Sequence, residues 1–302
     1  MLCRGQTTNV IVFAPAKLNL FLKVLGKRAD GYHELETLMV SVGLYDTLVF
    51  SGDPTGSLSL VCRDGGSRSP GSRAREMPDA GGDNLVIRAA RLLQDATGTS
   101  HGARIELVKR IPLAAGLAGG SSDAAATLFG LNQLWNLKLS AAELMRLAAR
   151  LGSDIPFFLC SASAALCRGR GEIVEPLPLQ SRFWFVVARP ATGLATADVF
   201  RACRPSTIGW SAEQLAASLV AGRLPEAAGL FHNALQEPAE RLNADVTRLK
   251  QAFARQPFSG HQMSGSGTSY FGLCRSRRQA AQCAARLAAT RLGDVFIVSN
   301  RP

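Results

Sequence analysis

The apolar positions of this chain follow two different periods. Runs rich in Val, Ile, Leu and Phe at 9–14, 18–25, 38–44, 48–51, 58–62 and 103–108 predict strands. Pro15 separates the first two, and Gly26-Lys27-Arg28-Ala29-Asp30-Gly31 predicts a turn. Behind an Asp83-Asn84 cap, Leu85, Ala89, Leu92, Leu93 and Ala96 recur at helical spacing. Residues 109–120 read as a loop, and helices follow at 121–135 and 140–151. Ser140 and Glu143 match the capping box of the second helix. The pattern changes around 168–171. Strands at 173–174 and 183–187 precede helices at 195–203, 211–221, 225–234 and 238–254. A Gly/Ser turn, a strand at 269–274, a helix at 276–290 and a strand at 294–298 complete the order. Strands with helices between them, then a helix-rich half, predict an α+β fold of two domains, 1–172 and 173–302.

Composition narrows the class. The 302 residues are 47% hydrophobic and 19% charged, which excludes a disordered chain. No apolar run approaches the roughly 18 residues of a membrane span. The first six residues lack the apolar region of a secretory signal, so a soluble protein in the cytoplasm is expected. Seven Cys in an odd set and four isolated His suggest neither a disulfide framework nor a structural metal. The net charge of +11 suits an anionic partner, whether nucleic acid, membrane surface or phosphorylated small molecule. It also fits simple Arg enrichment, because 28 Arg are scattered along the chain without a basic run. Residues 63–82, rich in Gly, Ser, Arg and Pro, predict a mobile surface insertion. With only six Lys, each one invites a reason.

The most informative stretch is Pro112-Leu113-Ala114-Ala115-Gly116-Leu117-Ala118-Gly119-Gly120-Ser121-Ser122, which runs into an Ala-rich helix. Glycines let backbone approach a ligand closely, and a helix start offers free N–H groups and the positive end of its dipole. Ser121 and Ser122 add hydroxyls and a helix cap. The stretch reads as an anion site for a polyphosphate or as a Gly-rich connector with an ordinary Ser cap. It is neither a Walker A loop nor a dinucleotide fingerprint. A second cluster, Ser264-Gly265-Ser266-Gly267, reads as a turn or, together with the first, as a second support for phosphates across a domain cleft.

Two charged residues stand out. Lys17 lies among apolar strand residues beside Asn19, and is either snorkelling from an edge or aimed at a site. Asp154 precedes the apolar Ile155-Pro156-Phe157-Phe158, and either ends a turn or acts as a partly buried base. An acid and an ammonium from distant segments are what phosphoryl transfer to an alcohol requires.

Pro15-Ala16-Lys17-Leu18-Asn19, the loop from 112 to 126 and Ser264-Gly265-Ser266-Gly267, in that order, resemble the GHMP kinase superfamily. Arg28-Ala29-Asp30-Gly31-Tyr32-His33-Glu34-Leu35, supported by Gly152-Ser153-Asp154 and Gly169-Arg170-Gly171-Glu172, is similar to the branch acting on a cytidine diphosphate sugar-alcohol. The resemblance runs from about residue 10 to 298. It implies an N-terminal domain like domain 2 of a small-subunit ribosomal protein and a ferredoxin-like C-terminal domain, with ATP and substrate in the cleft. The implied reaction is ATP-dependent phosphorylation of the 2-hydroxyl of 4-diphosphocytidyl-methylerythritol, in non-mevalonate isoprenoid precursor synthesis.

In that resemblance Asp154 is the general base and Lys17 its electrostatic partner. Asn19 orients that pair or the substrate. Tyr32 and Phe200 match positions that stack on cytosine, His33 the residue that hydrogen-bonds it, and Thr196 a substrate-side position. Residues 112–122 bind ATP, and Mg²⁺ is implied by ATP chemistry with its protein ligands unidentified. Ala118 stands where the family usually has Gly.

Two other readings compete. A basic chain with a ribosomal-protein-like domain could bind RNA, but dispersed Arg and three Tyr and three Trp give no aromatic–basic interleaving. A homoserine- or mevalonate-type kinase would make Tyr32-His33 incidental. Competition by CMP separates the cytidyl reading from both. The expected partners are therefore small molecules, without nucleic acid or membrane.

Overall fold

The computed structural model of the chain describes residues 2–6, 9–65, 75–76, 84–160 and 162–301. The expected cap residue Asp83 and most of the expected insertion at 63–82 lie outside the described residues. The first elements in chain order are β1 (Leu2–Gln6), β2 (Asn9–Lys27), β3 (His33–Asp53), β4 (Leu58–Asp64), β5 (Arg75–Glu76), α1 (Leu85–Thr97) and β6 (Gly102–Lys109). Then come α2 (Gly119–Leu134), α3 (Ala141–Leu151), α4 (Ile155–Leu159), β7 (Ala164–Gly169), β8 (Ile173–Leu177), β9 (Trp184–Arg189), α5 (Thr196–Ala202), α6 (Ala212–Val220) and α7 (Leu224–Gly229). The last are β10 (His232–Asn233), α8 (Gln236–Leu242), α9 (Ala244–Ala254), β11 (Gly260–Met263), β12 (Tyr270–Cys274), α10 (Arg277–Ala289) and β13 (Asp294–Ser299). The chain divides into two compact units, each with strands and helices. Among the described residues no helix is long and apolar enough to cross a membrane.

The first unit draws on Met1–Ala16, Leu44–Ile111 and Ala118–Ser161. β1 runs antiparallel to the start of β2, with Leu2 opposite Phe13. β6 lies antiparallel to the end of β3 and parallel to β4, pairing Val108 with Thr47 and Ala103 with Leu58. Val12, Leu48, Phe50, Leu93, Ile105, Leu128 and Leu131 are buried in this unit. Its helices start as their sequences dictate. The Asn84 side chain accepts from the Val86 amide, and Ser140 and Glu143 form the expected capping box.

The second unit draws on Lys17–Gly43, Pro112–Leu117 and Ala162–Pro302. β9 is central in an antiparallel sheet of order β11-β12-β9-β13, with Ala188 between Tyr270 and Val295. β7 pairs antiparallel with the start of β3 and with β8, and β10 runs parallel to the second half of β2. Val186, Leu249, Phe253, Tyr270 and Leu287 share a core with Leu22 and Val24.

Several expected boundaries move. Residues 9–27 form one strand rather than two, and 33–53 likewise. Pro15 lies beyond Phe13, where the β1 ladder ends, so its missing N–H removes no bond from that pairing. The expected loop 109–120 is shorter, since Lys109 ends β6 and Gly119 opens α2. The expected helix 225–234 stops at Gly229, and His232 and Asn233 pair with β2. The expected helix 238–254 breaks at Asn243, whose extended backbone (φ −145°, ψ 110°) ends α8 while its side chain caps α9.

Candidate active site

In the second unit, Lys17 is 4% exposed, so its position among apolar residues is not that of an edge lysine reaching for water. Its ammonium donates to Asn19 Oδ1 at 2.5 Å. A relay fixes that amide. Thr37 Oγ1 donates its one hydrogen to the Phe21 carbonyl at 2.5 Å, so it can only accept from Asn19 Nδ2, at 2.9 Å. The Asn19 oxygen is therefore the atom turned to Lys17.

Backbone of the first Gly-rich stretch meets the second cluster here. Lys17 N–H donates to the Leu117 carbonyl at 3.1 Å, and Ser269 N–H to the Ala115 carbonyl at 3.0 Å. Ser264 Oγ accepts from Asn19 N–H at 3.3 Å and donates to the Gly116 carbonyl at 3.0 Å. Gly116 has φ +74°, and a Cβ there would run into the Ser264 carbonyl. Gly265 has φ +56°, and a Cβ there would lie 3.3 Å from Lys17 Nζ. Both glycines are thus required by conformation and by close approach. Ala114 also has positive φ (+50°), Leu113 is exposed, and Arg189 donates to the Leu113 carbonyl at 3.3 Å; Pro112 precedes them, half-buried. Thr196 Oγ1 lies 2.9 Å from Ser266 Oγ, and Gly267 N–H donates to the Ser264 carbonyl, closing the turn.

The expected base-stacking residues fall into two pairs. The Arg170 guanidinium lies 4.6 Å from the Tyr32 ring centroid, covering one face of a side chain that is 52% exposed. His33 and Phe200 have ring centroids 5.2 Å apart, tilted by 30°. Burial, aided by the charge of Lys27, holds the His33 imidazole below its ordinary pKa.

In the first unit, α2 begins without a side-chain cap. Its N-cap position is Ala118 in the left-handed region (φ 54°, ψ 34°), so the expected capping role of Ser121 and Ser122 does not hold. Gly119, Gly120, Ser121 and Ser122 are all in the first turn of a 16-residue helix, whose leading amides and positive dipole end suit an anion. Ser122 Oγ is buried with no hydrogen-bond partner among the described residues. Asp154 precedes α4, and its side chain makes no capping bond to that helix. Helix capping is therefore not what Asp154 contributes.

Sequence reasoning missed Thr37, Gln262 and Asn233, polar side chains that only strand pairing brings to the site. Gln262 donates to the Asn19 and Leu20 carbonyls, and Asn233 to the Met263 and Gly265 carbonyls. It also missed Lys109, although the rarity of Lys was a signal. Among the described residues no group of three or more His, Cys, Asp or Glu could hold a metal.

Residues 84–162 match the GHMP kinases N terminal domain and residues 215–291 the GHMP kinases C terminal domain. The chain is 41% identical over 279 residues to the 4-diphosphocytidyl-2-C-methyl-D-erythritol kinase of Pelotomaculum thermopropionicum, covering 92% of this chain and 93% of that one. It is 40% identical to the same kinase of Paramagnetospirillum magneticum, covering 93% and 95%. A crystal structure of 4-(cytidine 5'-diphospho)-2C-methyl-D-erythritol kinase superposes with TM-score 0.78 at 36% identity, covering 96% of this chain and 98% of that one. Homoserine kinase from Cytophaga hutchinsonii superposes with TM-score 0.72 at 19% identity, covering 98% and 96%, a likeness of fold alone.

Proposed function

The chain belongs to the 4-diphosphocytidyl-2-C-methyl-D-erythritol kinases of the GHMP kinase family, and on that premise we propose that it phosphorylates the 2-hydroxyl of that cytidyl alcohol with ATP. The observation that carries the reading is the buried Lys17 ammonium, oriented by Asn19 and set over the backbone of Gly265, whose neighbour Ser264 bonds Gly116 of the glycine-rich loop.

In this reading the first-turn amides of α2 and the residues from Pro112 to Ala118 hold the triphosphate. Asp154 takes the proton of the 2-hydroxyl as that oxygen bonds to the γ-phosphorus. The bond from the γ-phosphorus to its bridging oxygen breaks, and ADP leaves. Lys17 stabilises the charge that develops on the attacking and transferred oxygens. Tyr32, His33 and Phe200 hold the cytosine, since an aromatic face stacks on any base and a polar neighbour reads its edge. Thr196 lines the substrate side. The buried, unpartnered Ser122 Oγ would offer a protein oxygen to the Mg²⁺ that accompanies ATP, an ion that would offset phosphate charge there. A reaction that consumes ATP fits a cytoplasmic setting, where ATP is supplied.

The test is ADP release in a coupled assay with the cytidyl alcohol, with homoserine as control. Turnover with the first alone, inhibited by CMP, is expected. Equal turnover with homoserine, or none with the cytidyl alcohol, overturns the assignment.

A further inference from the structure

Beneath the start of α2 lies a charge cluster that the reaction does not use. The Lys109 ammonium bonds Asp46 on β3 and, at 2.7 Å, Asp123 on α2. All three residues are buried: Lys109 is 6% exposed, Asp123 3% and Asp46 0%. Asp46 Oδ1 also accepts the amides of Arg110 at 2.5 Å and Ile111 at 2.8 Å, the residues that lead into the glycine-rich loop. A Cβ built on Gly119 would lie 3.2 Å from Lys109 Nζ, so the ammonium sits directly under the first residue of α2. One network therefore grips the chain just before residue 112 and just after residue 118.

We infer that Lys109, clamped between Asp46 and Asp123, is the positioning residue that sets where the first-turn amides of α2 point, and hence how tightly they hold the phosphates of a nucleotide. The inference rests on the reading of residues 112–122 as a phosphate site. Burying three charged groups is costly, and replacing such clusters with apolar residues is often neutral or stabilising. Stability alone is thus a poor reason for this arrangement. Holding both ends of a loop lowers the ordering cost that a phosphate would otherwise meet on binding.

The experiment compares the binding of ADP and of adenosine by the full chain carrying Lys109→Met. That change strands two carboxylates in the interior, so Asp46→Asn is made alongside it. Asp46→Asn keeps the shape and leaves Lys109 paired with Asp123. Either folded variant should bind ADP roughly tenfold more weakly, with adenosine affinity within about twofold of wild type. A role in packing alone would lower the melting temperature and leave the ratio of the two affinities where it was. If ADP and adenosine weaken equally, or ADP binding is unchanged in a folded variant, the inference is overturned. The kinase reading fails separately, through absence of wild-type turnover with the cytidyl alcohol, whereas ADP and adenosine binding can be measured without turnover.

Discussion

Asn19 holds the Lys17 ammonium through its amide oxygen at 2.5 Å, in a site where both side chains are buried. A buried lysine held in this way has its charge pre-positioned, which is what the proposed stabilisation of developing phosphate charge requires. Lys17→Met should lower kcat roughly 100- to 1,000-fold. Asn19→Ala should lower it roughly 10- to 100-fold, with the KM for ATP within about threefold of wild type. Steady-state kinetics at saturating ATP checks both, and a normal kcat for Asn19→Ala would remove the relay from the mechanism.

Asp154 is assigned the proton of the alcohol. Asp154→Asn keeps the shape and removes the base, so kcat should fall roughly 10²- to 10⁴-fold with nearly unchanged ATP binding. Single-turnover measurement is decisive here, because turnover close to wild type would leave Asp154 without a chemical role.

Arg170 covers one face of the Tyr32 ring, and the residue is still half exposed. Loss of a stacking ring should weaken the cytidyl alcohol. Tyr32→Ala is expected to raise its KM roughly tenfold or more, with little effect on the KM for ATP. An unmoved KM would mean that the cytosine binds elsewhere.

His33 supplies a pH dependence. Its imidazole ionises below the ordinary value of about 6.5 because burial, then Lys27, disfavours the cation. At pH 7 and above it is neutral, with one nitrogen a donor and the other an acceptor, as a cytosine edge needs. The KM for the cytidyl alcohol should be flat between about pH 7 and 8.5 and rise as the pH falls below the ordinary imidazole value, as the ring gains a proton and loses its acceptor. The folded state resists that proton more than the unfolded one, so the contribution of His33 to stability is also present above about pH 6.5 and lost as pH falls. A His33→Gln variant whose KM still rises over that range would rule this group out.

Ala118 adopts φ 54° at the turn into α2. A left-handed Ala costs roughly 1–2 kcal/mol, and glycine in its place would lose roughly 0.5–1 kcal/mol of that gain to chain entropy. Ala118→Gly should therefore raise the melting temperature slightly, by about 1–3 °C. Calorimetry showing a clear fall would contradict the balance drawn here.

What could be read from the sequence follows from how local each signal is. The capping box at Ser140 and Glu143 and the cap at Asn84 involve neighbours three residues apart or fewer, and both formed as expected. The glycine-rich stretch and Lys17 were visible as residues out of keeping with their surroundings. β11 was not, because Gly260-His261-Gln262-Met263 lacks apolar alternation: its Gln262 is buried by bonding carbonyls of Asn19 and Leu20, more than 240 positions away. β7 was missed because Ala164-Ala165-Leu166-Cys167 has little β-branched character, and its place comes from pairing with β3. Asp46 gave no sign of its importance, since its partners Lys109, Arg110 and Ile111 lie some sixty residues on.

The Thr37 hydroxyl spends its only hydrogen on the Phe21 carbonyl, which gives the Asn19 amide a direction as well as a place. An aspartate at 19 would aim a lone pair at an oxygen with no proton left to give, and a valine at 37 would leave the amide nitrogen without an acceptor. The two positions thus form a lock with matched parts, so divergence at one is tolerable only with compensation at the other.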